Sequence, residues 1–99
     1  MPQAWELLRQ MVGINSYTCN PAGVNQLARF TAESFATVGF TAEQVPSTNP
    51  GFGMHLVLTR PGKSQYSVAM VSHLDTVFPP EEEERNNFRW LPEGDRIYG

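Results

Sequence analysis

An asparagine and a proline, Asn20-Pro21, stand directly before an apolar repeat that Gly39 closes, and this bounded repeat constrains the fold more than any other stretch. The asparagine offers a capping oxygen and the proline suits a first helical turn. Val24, Leu27, Ala28, Thr31, Phe35 and Val38 then follow a 3.6-residue period. Gly39 supplies the left-handed conformation that ends many helices, so the helix is expected to stop at Val38 with Phe40 packing back on Phe35.

An earlier helix is expected over 5–14, where Trp5, Leu7, Leu8, Met11, Val12 and Ile14 gather on one side. After Gly39, residues 40–45 read as a short strand and 46–51 (Pro-Ser-Thr-Asn-Pro-Gly) as a loop. Residues 54–59 are β-like again, and Arg60-Pro61-Gly62-Lys63-Ser64 is a turn. Residues 66–72 then return as the most apolar strand, a candidate second arm of a hairpin. The expected order is α-α-β-β-β. Four glutamates, Glu81 to Glu84, follow Pro79-Pro80 and read as a solvated loop. The chain ends on a short apolar piece at 88–91, turn formers at 92–95, and Ile97-Tyr98-Gly99.

At 99 residues the chain is one domain at most, or a piece of one. Its 40% hydrophobic and 17% charged content fits a globular protein, and no apolar run approaches the ~20 residues that cross a bilayer, so no membrane contact is expected. A net charge of −3 with scattered basic residues argues against a nucleic-acid partner. Residues 1–6 lack the positive segment of a secretory leader. Cys19, the single cysteine, suits a reducing compartment, so a cytoplasmic location is expected.

The chemistry-bearing segment is Ser72-His73-Leu74-Asp75-Thr76-Val77-Phe78-Pro79, directly behind the apolar run Val68-Ala69-Met70-Val71. If that run is a buried strand, His73 and Asp75 emerge where it ends, which is where α/β proteins assemble ligand sites. A spacing of two puts both side chains on one face of an extended backbone. Imidazole ligands also need a partner on their second nitrogen. The bare pair leaves two readings open: a structural histidine and carboxylate, or a metal or acid–base site.

The longer string resembles the first metal motif of the zinc-dependent aminoacylase and carboxypeptidase family of metallopeptidases, whose members include glutamate carboxypeptidase and succinyl-diaminopimelate desuccinylase. The resemblance extends over nearly the whole chain: two leading helices, Gly39-Phe40, a strand pair around Pro61-Gly62, the His-x-Asp strand, Trp90, and Gly94-Asp95-Arg96-Ile97-Tyr98-Gly99. It implies the N-terminal portion of a three-layer α/β/α catalytic domain. His73 would be a zinc ligand and Asp75 the catalytic residue that orients it. The cofactor it implies is a pair of zinc ions, in such sites about 3.5–4 Å apart, that activate water for hydrolysis of an amide in a peptide or N-acyl amino acid.

In that family a Tyr-Gly pair like Tyr98-Gly99 leads within a few residues to a bridging aspartate. The general-base glutamate, the remaining ligands and a dimerisation domain come later. Residues 1–99 would then be an incomplete catalytic domain holding at most one family-type ligand, short of the three or four of a zinc site, and inactive alone. The alternative is a non-catalytic association module on the same scaffold. Either way an uncovered strand edge or helix face is expected to make the chain self-associate. Of the other residues, His55 reads as a satisfied or exposed histidine, Cys19 as an unactivated thiol, and Trp5, Phe35, Phe40 and Trp90 as core. Gly51-Phe52-Gly53 lacks the lysine of a phosphate loop.

Overall fold

The leading helix, α1 (Pro2–Val12), and its neighbour α2 (Pro21–Ala36) are joined by a loop that its own side chains hold closed. The computed structural model describes the backbone of residues 2–99 and the side chains of residues 3–99. In the loop, Asn20 Nδ2 donates to the Asn15 carbonyl (3.3 Å) and to Asn15 Oδ1 (3.0 Å), while the Tyr17 amide donates to the same Oδ1 (3.2 Å). Asn20 also caps α2, its Oδ1 accepting from the Gly23 amide at 3.3 Å, with Pro21 in the first turn. Gly23 is buried against this loop. A Cβ there would collide with the Asn15 carbonyl oxygen.

The expected end of α2 is realised almost to the residue. The α-helix stops at Ala36 and a tighter turn carries it to Gly39, whose φ is 91°. The Gly39 amide donates to Ala36 (3.1 Å) and the Phe40 amide to Phe35 (3.2 Å), a Schellman pair. Phe40 folds back on Phe35 edge to face, ring centroids 5.3 Å apart.

Two strands follow, β1 (Thr41–Val45) and β2 (His55–Thr59), paired antiparallel from Thr41–Thr59 to Val45–His55. The hairpin lies on α2, with Gln44, Leu56 and Leu58 half-buried on its inner face. Asn25 Oδ1 accepts from the Met54 amide (2.7 Å), tying the intervening loop to the helix. Val24, Leu27 and Ala28 of α2 are the buried apolar residues of the core.

The chain beyond β2 departs from expectation in three places. Residues 66–72 form no strand: β2 takes β1 as its hairpin partner, and Val68, Met70 and Val71 are 91%, 93% and 96% exposed. A strand bare on both faces needs a ladder and two covers, and α2 is already occupied by the β1–β2 hairpin. The glutamate run is not a loop but the start of a third helix, α3 (Pro80–Asn86). Pro80 fits its first position, Glu81, Glu82 and Glu83 favour its positive end, and Asn87 closes it in the left-handed conformation (φ 57°). Last, β3 (Leu91–Glu93) and β4 (Arg96–Tyr98) make a second hairpin about Gly94 (φ 62°). Among the described residues the order is therefore α-α-β-β-α-β-β, a mixed α/β arrangement of three helices and two two-stranded antiparallel sheets.

The aromatic core is also thinner than expected. Phe40 and Trp90 are half-buried, but Trp5 and Phe35 stay 53% and 41% exposed, because Val24, Leu27 and Ala28 of α2 make a core too thin to enclose them. Trp5 meets Trp90 at 6.5 Å between centroids. The molecule is a slab of 49 × 38 × 18 Å with a radius of gyration of 15.4 Å, against about 13 Å for a compact chain of this length.

Two substitutions probe this packing in opposite directions. Gln44 Nε2 is buried with no hydrogen-bond partner among the described residues, opposite Leu56. Gln44→Leu is expected to raise the unfolding free energy by about 1–2 kcal/mol in urea denaturation. Gly23→Ala is expected to lower it by about 1–3 kcal/mol, because the contact is with backbone that has no room to yield.

Candidate metal centre

A short parallel bridge fixes the segment that carries His73 and Asp75. The Thr76 amide donates to the Ser16 carbonyl (2.8 Å), and the Thr18 amide donates back to the Thr76 carbonyl (3.0 Å). Asn15 Nδ2 adds a bond to the Phe78 carbonyl at 3.1 Å. The loop between α1 and α2 thus serves as the edge on which residues 75–78 are laid. Leu74 and Thr76 line an apolar recess with Met11, Ile14 and Leu27. The His73 side chain stays 83% exposed.

Asp75 is held by Thr18, whose hydroxyl lies 2.6 Å from Oδ2 and 3.2 Å from the Thr76 carbonyl. A hydroxyl has one proton, and the shorter, charge-assisted bond to the carboxylate takes it. That bond is the main reason the Asp75 carboxyl sits below the usual aspartate range. Partial burial opposes it, and His73 adds a smaller lowering.

His73 Nδ1 lies 2.9 Å from the Asp75 carbonyl oxygen and 3.4 Å from Asp75 Oδ1. Neither oxygen has a proton to give, so in the neutral ring Nδ1 carries the hydrogen and Nε2 keeps its lone pair. The ring is thereby oriented with its free nitrogen toward solvent, the form in which an imidazole binds a transition metal. These donors fit one corner of a zinc site: an available Nε2 and, behind it, a carbonyl and a carboxylate that fix the tautomer. Among the described residues, no group of three or more His, Cys, Asp or Glu side chains converges.

The two residues singled out by their spacing are therefore brought together, with Asp75 on the second nitrogen of His73 as the pattern suggested. The nearer contact is the Asp75 backbone carbonyl rather than its side chain. Thr18, Ser16 and Asn15 carry no motif that marks them in sequence. Their role comes from the bridge, which joins positions about sixty residues apart. His55 is exposed at the start of β2 opposite Val45, and Cys19 is an exposed thiol beside Thr18.

The threonine–aspartate bond sets a pH dependence. A carboxyl whose pKa is lowered by folding contributes stability above its unfolded pKa, about 3.9, and that contribution is lost as pH falls through the folded value. Thr18→Val is expected to raise the Asp75 pKa toward the ordinary range and to shrink the acid-side loss of stability. Carboxyl carbon NMR titration checks this, and an unmoved Asp75 pKa would contradict it.

No family model, no curated protein and no solved structure matches the chain.

Proposed function

We propose that residues 1–99 are the N-terminal part of the catalytic domain of a zinc-dependent amide hydrolase, a carboxypeptidase or N-acyl-amino-acid deacylase built on a three-layer α/β/α scaffold. The observation that carries the reading is the pose of His73. Nδ1 is engaged by Asp75 and Nε2 is presented to solvent, within a motif that resembles the first metal motif of that family. A cytoplasmic location belongs to the same proposal. It is supported by the single cysteine, and among the described residues no helix is long and apolar enough to cross a membrane.

In this reading His73 is a metal ligand through Nε2, and Asp75 is its orienting residue. The Asp75 carbonyl at 2.9 Å fixes the ring tautomer, the carboxylate lies behind it at 3.4 Å, and the Thr18 hydroxyl holds that carboxylate in its ionised form. Zinc, when bound, supplies polarisation of an amide carbonyl and a water of lowered pKa. The substrate is a peptide or an N-acyl amino acid, and catalysis requires further carboxylate and histidine ligands from residues beyond this sequence. One imidazole falls short of the three or four ligands of a zinc site, so the 99-residue chain is inactive alone.

The bare apolar run at 68–71 supports the first reading as a strand awaiting its sheet. It also favours the second, a non-catalytic module that associates through that surface. Zinc affinity and N-acyl-amino-acid hydrolysis, measured on this chain and on a longer polypeptide, separate them. In the longer protein His73→Ala is expected to abolish hydrolysis, and Asp75→Asn to lower zinc affinity or activity about 10–100-fold. Undiminished hydrolysis after His73→Ala would remove the catalytic reading.

A further inference from the structure

The apolar run ahead of His73 has a composition and a flanking charge pattern suited to pairing with itself. Tyr66 is 79% exposed, and Val68, Met70 and Val71 are more than 90% exposed, so both faces of the segment are bare. Its backbone is equally free. Among the described residues, the one hydrogen bond made by residues 65–72 is from the Tyr66 amide to Ser64 Oγ, at 3.1 Å. No charged residue lies between Lys63 and Asp75, and an uncharged, β-rich segment with open amides and carbonyls is a template for strand addition.

We propose that two copies of this chain pair through residues 65–73 as antiparallel strands, about a two-fold axis at Ala69. Charge selects the register. With Ala69 opposite its own copy, Val68 faces the second copy's Met70, Ser67 its Val71, and Tyr66 its Ser72. At each flank Lys63 faces Asp75. Centring on Val68 instead sets Lys63 against His73. Centring on Met70 leaves Lys63 against Val77 and Asp75 against Gln65, so the Ala69 register alone matches the two opposite charges. The contact is isologous, each copy giving the same edge of the segment to the other, which is the symmetry of a two-fold dimer.

Edge pairing covers the flanks of Tyr66, Val68, Met70 and Val71 and leaves their outer faces in solvent, so the contact is smaller than the roughly 800 Å² per partner of a standard interface. A contact of that size gives a reversible dimer, with a dissociation constant in about the micromolar range or weaker. The pairing needs no metal and does not rest on the hydrolase reading.

Sedimentation of the 99-residue chain across concentration tests the proposal. A monomer–dimer equilibrium insensitive to chelator is expected. Met70→Lys is expected to weaken it at least tenfold, and Lys63→Glu several-fold at low salt, with the latter effect lost at high salt. Met70 is 93% exposed, so far-ultraviolet circular dichroism of the variant monomer should match the parent. In a Cys19→Ser background, Ala69→Cys should oxidise to a disulfide-linked dimer. Tyr66→Cys should not, because the axis sets two copies of that residue about 20 Å apart. A chain that stays monomeric at all concentrations would overturn the proposal, as would a dimer dissolved by chelator or equal cross-linking at both positions.

Discussion

The parallel bridge between Tyr17 and Thr76 is the contact on which the rest of the site depends. Two backbone hydrogen bonds, Thr76 to Ser16 and Thr18 to Thr76, bring the α1–α2 loop beside the His-x-Asp segment across about sixty residues of chain. Closing a loop of that length costs entropy, and two exchanged bonds do not offset it by themselves. The remaining support is local: Asn15 bonds to Phe78, Thr18 to Asp75, and the apolar side of the strip faces Met11, Ile14 and Leu27. Without the bridge Asp75 loses its hydroxyl donor, and the histidine loses a fixed partner.

How much of this could be read in advance depended on the range of the interaction. The second helix was legible because its determinants are neighbours in sequence: the Asn20 cap, Pro21, the stripe from Val24 to Thr31, and Gly39 followed by Phe40. The His73–Asp75 contact was legible for the same reason, two residues being close enough for spacing to fix geometry. The β1–β2 pairing was less so, because both arms of 54–59 were flanked by turn signals and composition cannot choose between partners. The glutamate run was misread because its charge outweighed its termini. Pro80 at one end and Asn87 at the other are helix punctuation, and acidic residues in a first turn favour a helix. Nothing local marks Thr18 as the donor to Asp75.

The slab shape and the bare run at 68–71 describe one condition. A chain with Val24, Leu27 and Ala28 as its buried apolar residues has a core one helix deep, and among the described residues no large side chain is fully buried. What the hairpin on α2 gains, the segment after it forgoes, since one helix face can cover one sheet layer. The apolar residues at 68–71 are thus left as surface, next to the residues with the clearest chemistry.

Leu74 gives that adjacency a mechanical meaning. It sits between the imidazole and the carboxylate and points into the recess lined by Met11, Ile14 and Leu27, while His73 points to solvent. The exposed ring and the half-buried leucine share a stretch of backbone, so the leucine acts as a root and the ring as the tip above it. A substitution in the recess beneath Leu74, at Met11, Ile14 or Leu27, therefore acts one residue away from His73 without touching the ring. The footing of the imidazole is thus an aliphatic contact, and the polar residues around it are only part of what holds it in place.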